Sequence, residues 1–409
     1  MITLTRKNRI ESYFFDLTIM SVYIFGLIYP FYLFGLSFSK VLLIASPVLL
    51  LFKGVYKYNP PKDMVVYYSF GFLIFSIGCF NIFFINSSDD YAFFSKSFLM
   101  LVEVPIISSV ICVYYKSVSK KIDIKLAIFG VVVIQGGIAL FLFFNDLIRE
   151  EIFNFLGYSE NIIATSQFRL VGIGAGFVEL SLAQGLGLIM ALYLKPKSKI
   201  IYGLGVLVIL VSGFLAARTF IIFIMAFIFI SLSKRDKSKD LILGGIVLTS
   251  IPILLLPYFT ISNNIYLEKI FLVLPWATEF INNIMTGSSG TSSSDSLFDM
   301  YFWVEGKTFL FGDGYYSDPN NSDRYYMGTD AGYMRPILYY GLLTFFPQIL
   351  LLLYCTLKSK GFINISMVIC FILFICNIKG QFIYFGSSME KVLILFFIIS
   401  IHSKGNRHA

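Results

Sequence analysis

The 409-residue chain is 57% hydrophobic and 18% aromatic but only 14% charged, with a mean hydropathy of +0.80, which leaves too little polar surface to cover a soluble globule of this size. Its formal charge of +8 would suit a nucleic acid only if gathered on one soluble face. Here the basic residues fall in short clusters between apolar runs, the pattern of bilayer anchoring, so nucleic acid is excluded as a partner.

Crossing a hydrocarbon core of about 30 Å takes about 20 apolar residues as helix, and only helices or closed barrels satisfy the backbone there. The apolar runs are of helix length, which predicts an all-α, polytopic membrane bundle forming one domain over 1–409. About twelve spans are expected: 13–33, 38–52, 64–85, 97–115, 126–144, 172–194, 200–215, 219–232, 241–258, 336–357, 362–378 and 392–401. The first run follows Arg6, Lys7 and Arg9 as a signal peptide would, but it continues without a small-residue cleavage site and reads as a retained span. With both termini in the cytoplasm, most of the 32 Lys and Arg residues fall on the inner side and most of the 24 acids on the outer. The five cysteines lie inside apolar runs without CxxC spacing, and both histidines, His402 and His408, lie in the C-terminal tail. Neither a disulfide, nor a metal site, nor any cofactor is expected.

Two outer loops are long, 145–171 and 260–335, the second able to form a small subdomain. In it Trp276, Phe280, Ile281, Ile284 and Met285 make a helical stripe behind Pro275, as in a helix lying on the membrane surface. Residues 287–294, GSSGTSSS, form a soft connector, and 296–311 a short helix capped by Ser294 or Asp295. Stretch 310–346, LFGDGYYSDPNNSDRYYMGTDAGYMRPILYYGLLTFF, then combines two turns, acids, tyrosines and two arginines before an apolar run.

Five outward arginines, Arg149, Arg169, Arg218, Arg324 and Arg335, offer planar donor forks suited to phosphate or carboxylate. Arg218 sits where two apolar runs meet with almost no loop; it is either functional or a snorkelling boundary residue, and Arg335 before Pro336 has the same double reading. Arg169 precedes a run with Gly172, Gly174 and Gly176, whose glycines suit close helix approach and form no GxGxxG. Glu179, about two turns into that span, either pairs with an arginine or takes a proton from an acceptor hydroxyl. Asp330 is a helix cap or a catalytic group; Tyr315, Tyr316, Tyr325, Tyr326 and Tyr333 are stacking platforms for sugars or an interfacial belt. Several arginines beside outward carboxylates and aromatics suit an amphiphile with an anionic diphosphate head and a sugar, whose departing charge the arginines would stabilise.

The segments FRLVGIGAGFVEL, GFLAARTFIIF, and LFGDGY followed by TDAGYMRPILYYGLL resemble, in order and sidedness, the Wzy O-antigen polymerases, members of a wider set of polymerases and O-antigen ligases with a GT-C-like membrane fold. The likeness covers 168–220 and 310–346; elsewhere only length and topology match. It implies a metal-independent glycosyltransferase of the bacterial inner membrane, acting at the periplasmic face. A growing glycan would pass from undecaprenyl diphosphate to another lipid-linked repeat unit, with a chain-length regulator as a possible partner. By position Arg169, Arg218 and Arg335 would bind the diphosphate and help it leave, with Arg324 and Tyr333 beside them and Asp330 or Glu179 as acid–base groups. Arg169 matches the polymerase pattern only in part. The ligases carry a histidine in the large outer loop, which this sequence lacks, so polymerase is favoured over ligase. A lipid-linked oligosaccharide flippase is the third alternative; it would place polar residues at mid-membrane and show related halves, and no internal repeat is visible.

Overall fold

The computed structural model describes residues 6–33, 35–54, 60–119, 122–194, 198–234, 297–384 and 386–404. Among them the chain is mostly helical, with strands only in two small hairpins. The span expected at 241–258, the surface helix behind Pro275 and the 287–294 connector lie outside these residues.

Four helical stretches are long and apolar enough to cross a membrane: Lys62–Ile85, Ala92–Val118, Ile124–Phe144 and Lys199–Ala216. A fifth is possible by length and composition if Leu342–Lys358 and Lys360–Cys376, bent by 78°, count as one span. The chain divides into two compact units, Met1–Leu42 with Tyr114–Ser289 and Leu43–Val113 with Gly290–Ala409.

In the first unit α1 (Arg6–Ile28) leads into a hairpin of β1 (Tyr32–Leu33) and β2 (Leu36–Ser37), then α2 (Phe38–Phe52) begins. Within this unit the Tyr23 hydroxyl donates to the Leu42 carbonyl, 2.9 Å, joining α1 to the start of α2. Further along, α6 (Ile124–Phe144), α9 (Phe177–Leu192), α10 (Lys199–Ala216) and α11 (Phe220–Lys234) pack around α9, thirteen of whose residues, Leu180 to Leu192, are buried. Glycines allow the approach: a side chain on Gly185 would collide with the Phe223 ring, and one on Gly213 with that of Phe220. The expected loop 145–171 is itself helical, α7 (Asp146–Phe155) and α8 (Glu160–Thr165), because Phe153 packs with Leu142 and Val171 in a buried cluster.

The second unit holds α3 (Lys62–Cys79) with a π-helical turn Phe80–Ile85, α4 (Ala92–Phe98), another π turn Leu99–Glu103, and α5 (Val104–Val118), which runs on past the unit boundary. After residue 297 come α12 (Gly306–Phe311), a hairpin of β3 (Ser317–Asp318) and β4 (Asn321–Tyr325), α13 (Met334–Tyr340), α14 (Leu342–Lys358), α15 (Ile363–Cys376) and α16 (Ser388–Lys404). The helix expected over 296–311 is therefore interrupted, since 301–305 are non-helical and α12 starts only at Gly306.

The run expected as one span over 336–357 is also broken. Gly341 has φ +77°, and a side chain there would collide with the Leu310 carbonyl. The break leaves the last carbonyls of α13 without intrahelical donors. The Gly312–Gly314 turn supplies them: Asp313 N–H donates to Leu338 O at 2.6 Å and Gly314 N–H to Tyr339 O at 3.0 Å. Asn81, in the π turn after α3, donates to Tyr340 O at 2.9 Å and to Thr344 Oγ1 at 3.1 Å. Of the two turns legible in 310–346, the one at Gly312–Gly314 thus supports the break in its helix, while 318–321 joins β3 to β4.

Candidate functional site

In each unit one corner holds arginines that the sequence singles out. In the first, Leu170 N–H donates to Leu215 O, 3.2 Å, which draws the residue after Arg169 onto the end of α10. There α10 stops at Ala216, Ala217 is extended (φ −157°, ψ 147°), and α11 starts at Phe220, so Arg218 occupies the tight corner that its sequence context requires. The Ser181 and Thr219 hydroxyls lie 3.1 Å apart, bringing the start of α9 to the same corner.

Arg169, Arg218 and Glu179 are all half-buried around this corner. The Arg169 guanidinium lies 5.2 Å from the centroid of the Phe177 ring. Burial first, and the Arg218 charge second, pull the Arg169 pKa below the ordinary guanidinium range.

Glu179 is not two turns inside a span. Helix α9 begins at Phe177 after a Gly172–Ala175 bridge, which puts Glu179 in the first helical turn, where the helix dipole favours a carboxylate. The glycines accordingly serve a turn, and Gly172 also lets this turn approach α6, since a side chain there would collide with Gln135. Gly174 has φ +74°, with the Tyr29 carbonyl where its side chain would be. The Tyr158 hydroxyl clasps the turn, donating to Gly172 O at 3.0 Å and accepting from Gly174 N–H at 2.8 Å. Arg149 is not part of this group: buried at 2% exposure, it pairs with Asp146 at 2.8 Å and donates to Ser166 O at 3.3 Å, fastening α7 to α8.

In the second unit the centre is Arg335, 7% exposed, in the first turn of α13. Its guanidinium is sandwiched between the rings of Tyr316, 4.1 Å from the centroid, and Tyr325, 3.8 Å. Its Nη1 lies 3.6 Å from Asp330 Oδ1, an ion pair rather than a close hydrogen bond. Asp330 makes no cap to α13, whose first turn has no side-chain cap; its role is the ion pair. Burial raises the Asp330 pKa above the usual carboxylate range, against the opposing pull of Arg335 and then Lys379.

The aromatic clamp is anchored from a loop that the sequence did not single out. Asp90 Oδ2 accepts Tyr316 N–H at 2.8 Å, while its Oδ1 accepts the Tyr339 hydroxyl at 3.0 Å and Ala92 N–H at 2.8 Å. Ser88 donates to Gly314 O at 2.6 Å. The signal available was the acid pair Asp89-Asp90 behind two serines in a short loop between apolar runs, which composition alone ties to nothing. Tyr333 serves structure: its hydroxyl, pushed up to about 12 chiefly by burial, donates to Phe374 O at 2.8 Å. Arg324 is exposed on β4 next to Tyr325; successive strand residues face opposite ways, so it leaves the Arg335 clamp. Tyr315 and Tyr326 pair with each other, centroids 5.6 Å apart.

Compared with known proteins, the chain matches no family model, no curated sequence and no solved structure. Among the described residues these two arginine centres are the candidates for its chemistry. A neighbouring pair of half-buried guanidiniums suits a ligand carrying two or more negative charges. A guanidinium stacked between two rings offers its edge donors in a fixed plane, the arrangement for one phosphate or carboxylate edge.

Proposed function

We propose that the protein is an O-antigen-type polysaccharide polymerase, a metal-independent glycosyltransferase that moves a growing glycan from undecaprenyl diphosphate to a lipid-linked repeat unit. The observation that carries this is the gathering of Arg169 and Arg218, far apart in sequence, at the α9–α10–α11 corner. Two guanidiniums at one corner would serve a diphosphate, whose charge is best met by more than one cation. In that role Arg169 and Arg218 bind and stabilise the departing diphosphate. Arg335, planar and fixed between two rings, binds anionic oxygen in the same reaction. Glu179, at a helix start, and Asp330, paired with Arg335, are the candidate acid–base groups.

The finer topology belongs to the same proposal: twelve spans in the bacterial inner membrane, both termini cytoplasmic, and the 145–171 and 260–335 loops periplasmic. The described helices support a membrane protein, with four long and apolar enough to cross.

The deciding experiment is genetic. Deleting the gene should leave lipopolysaccharide core capped with a single repeat unit. Complete loss of O-antigen would point to a ligase or flippase and end the polymerase proposal.

A further inference from the structure

Only Asn145 separates α7 from α6, one of the four stretches long and apolar enough to cross a membrane. Its backbone (φ −124°, ψ 84°) turns the chain, its side chain donates to Phe141 O at 2.7 Å, and its carbonyl accepts Arg149 N–H at 2.9 Å. One residue thus ends one helix and begins the next. Were α7 to continue along the line of α6, Phe153 would stand roughly 13 Å beyond Phe144. Instead Phe153 is buried against Leu142 and Val171. Both ends of α7 therefore lie at the level where the apolar stretch stops, and the helix runs across the end of α6 rather than away from it. Helical spacing then sorts its residues. Arg149 and Phe153 face the protein and are buried. Ile148, Ile152 and Phe155 form one flank, with Ile148 39% and Phe155 64% exposed. Asp146, Glu150 and Asn154, all exposed, form the opposite flank, and Leu147 and Glu151 point away from the protein.

We propose that α7 is a membrane-surface helix, its Ile148–Phe155 flank resting at the boundary of headgroups and acyl chains and its Asp146–Glu150–Asn154 flank in water. What covers the apolar flank is set by the chain itself. A helix laid across the end of a membrane span lies in the interface, and α7 is joined to that end at Asn145 and packed on it at Leu142. The inference needs only that α6 spans a membrane, and stands apart from the diphosphate function proposed above. The helix carries Asp146, Glu150 and Glu151, and its one basic residue, Arg149, is buried and paired with Asp146. Apolar area rather than attraction to anionic headgroups therefore holds it, so uncharged lipids suffice. Val171, in the same buried cluster, lies close in sequence to Arg169, which ties the level of the Arg169–Arg218 corner to the same lipid boundary.

The test uses the full chain in phosphatidylcholine vesicles, with its two tryptophans removed by Trp276→Phe and Trp303→Phe. A single tryptophan is then introduced by Ile148→Trp, Phe155→Trp or Glu150→Trp. Lipids brominated on the acyl chain close to the headgroup should quench Ile148→Trp and Phe155→Trp roughly threefold more than Glu150→Trp, and aqueous acrylamide should show the reverse order. Should Ile148→Trp fail to fold, Phe155→Trp, an exchange of one aromatic for another, carries the comparison. Emission from the apolar flank that acrylamide quenches and brominated lipid does not would put α7 in water. Shielding from both quenchers would mean that protein covers the flank, and equal quenching of all three variants by brominated lipid would remove the two-sided placement. Each of these results overturns the proposal.

Discussion

The Arg335 guanidinium lies 3.8 Å from the centre of the Tyr325 ring and 4.1 Å from that of Tyr316, so it packs against two aromatic rings at once. A lysine in its place would keep the charge but lose the plane, the stacking and the paired donors. Arg335→Lys should therefore behave almost like Arg335→Ala, lowering chain extension on the order of a hundredfold, as the loss of a transition-state donor does. Banding of the lipopolysaccharide made by each variant measures this, and near-normal long chains in Arg335→Lys would refute the stacked geometry as the source of function.

Arg218→Ala should abolish chain extension while the protein still reaches the membrane in normal amounts. The Arg218 corner is built from backbone and from the Ser181–Thr219 hydroxyl contact, neither of which needs the guanidinium. Immunoblots of membrane fractions beside lipopolysaccharide gels separate the two effects. Long-chain product from the variant would remove Arg218 from the site.

Gly312→Ala tests the broken helix. Gly312 has φ +76°, and a methyl group there would sit 2.6 Å from the Tyr339 carbonyl carbon, so both conformation and space oppose the change. The expected cost is about 1–3 kcal/mol, read as a lower unfolding temperature of the purified protein. Gly306→Ala, at the start of α12 with open space around the position, serves as the control and should be nearly neutral.

Asp330 makes stability depend on pH in a stated direction. Its folded-state pKa is raised, burial outweighing Arg335 and Lys379, so its ionised form is disfavoured on folding. Stability from this group is fully present below the unfolded carboxylate value, about 4, and is lost as pH rises through the raised folded value. Asp330→Asn should remove that dependence and unfold no earlier than wild type at neutral pH. Melting curves across this range measure it; a variant markedly less stable at neutral pH would show that the ion pair outweighs burial.

How far the sequence revealed this arrangement depended on the range of the interactions involved. Helix α10 was legible because hydropathy is local, and so was the corner at Arg218, where two apolar runs leave no room for a loop. The start of α9 was misplaced because Gly172, Gly174 and Gly176 add to an apolar run as readily as they form a turn. Only the Tyr158 hydroxyl, bonded to Gly172 and Gly174, reveals the turn. The break at Gly341 was hidden for the same reason, since its compensating donors come from Asp313, Gly314 and Asn81. Tyrosines 316 and 325 were visible as aromatic groups near an arginine, but which of five tyrosines stack on it depends on the β3–β4 hairpin and on Asp90.

Asn81 meets the Tyr340 carbonyl across 259 positions of sequence, and this separation bears on how the protein is made. During synthesis the π turn after α3 emerges long before α13, so its amide waits with no carbonyl to receive it. When α13 and α14 follow, the Gly341 gap can be closed only against a partner already in place. This contact can therefore form only after the chain beyond Tyr340 has been made, so the junction of α3 with the broken pair is among the late contacts of assembly.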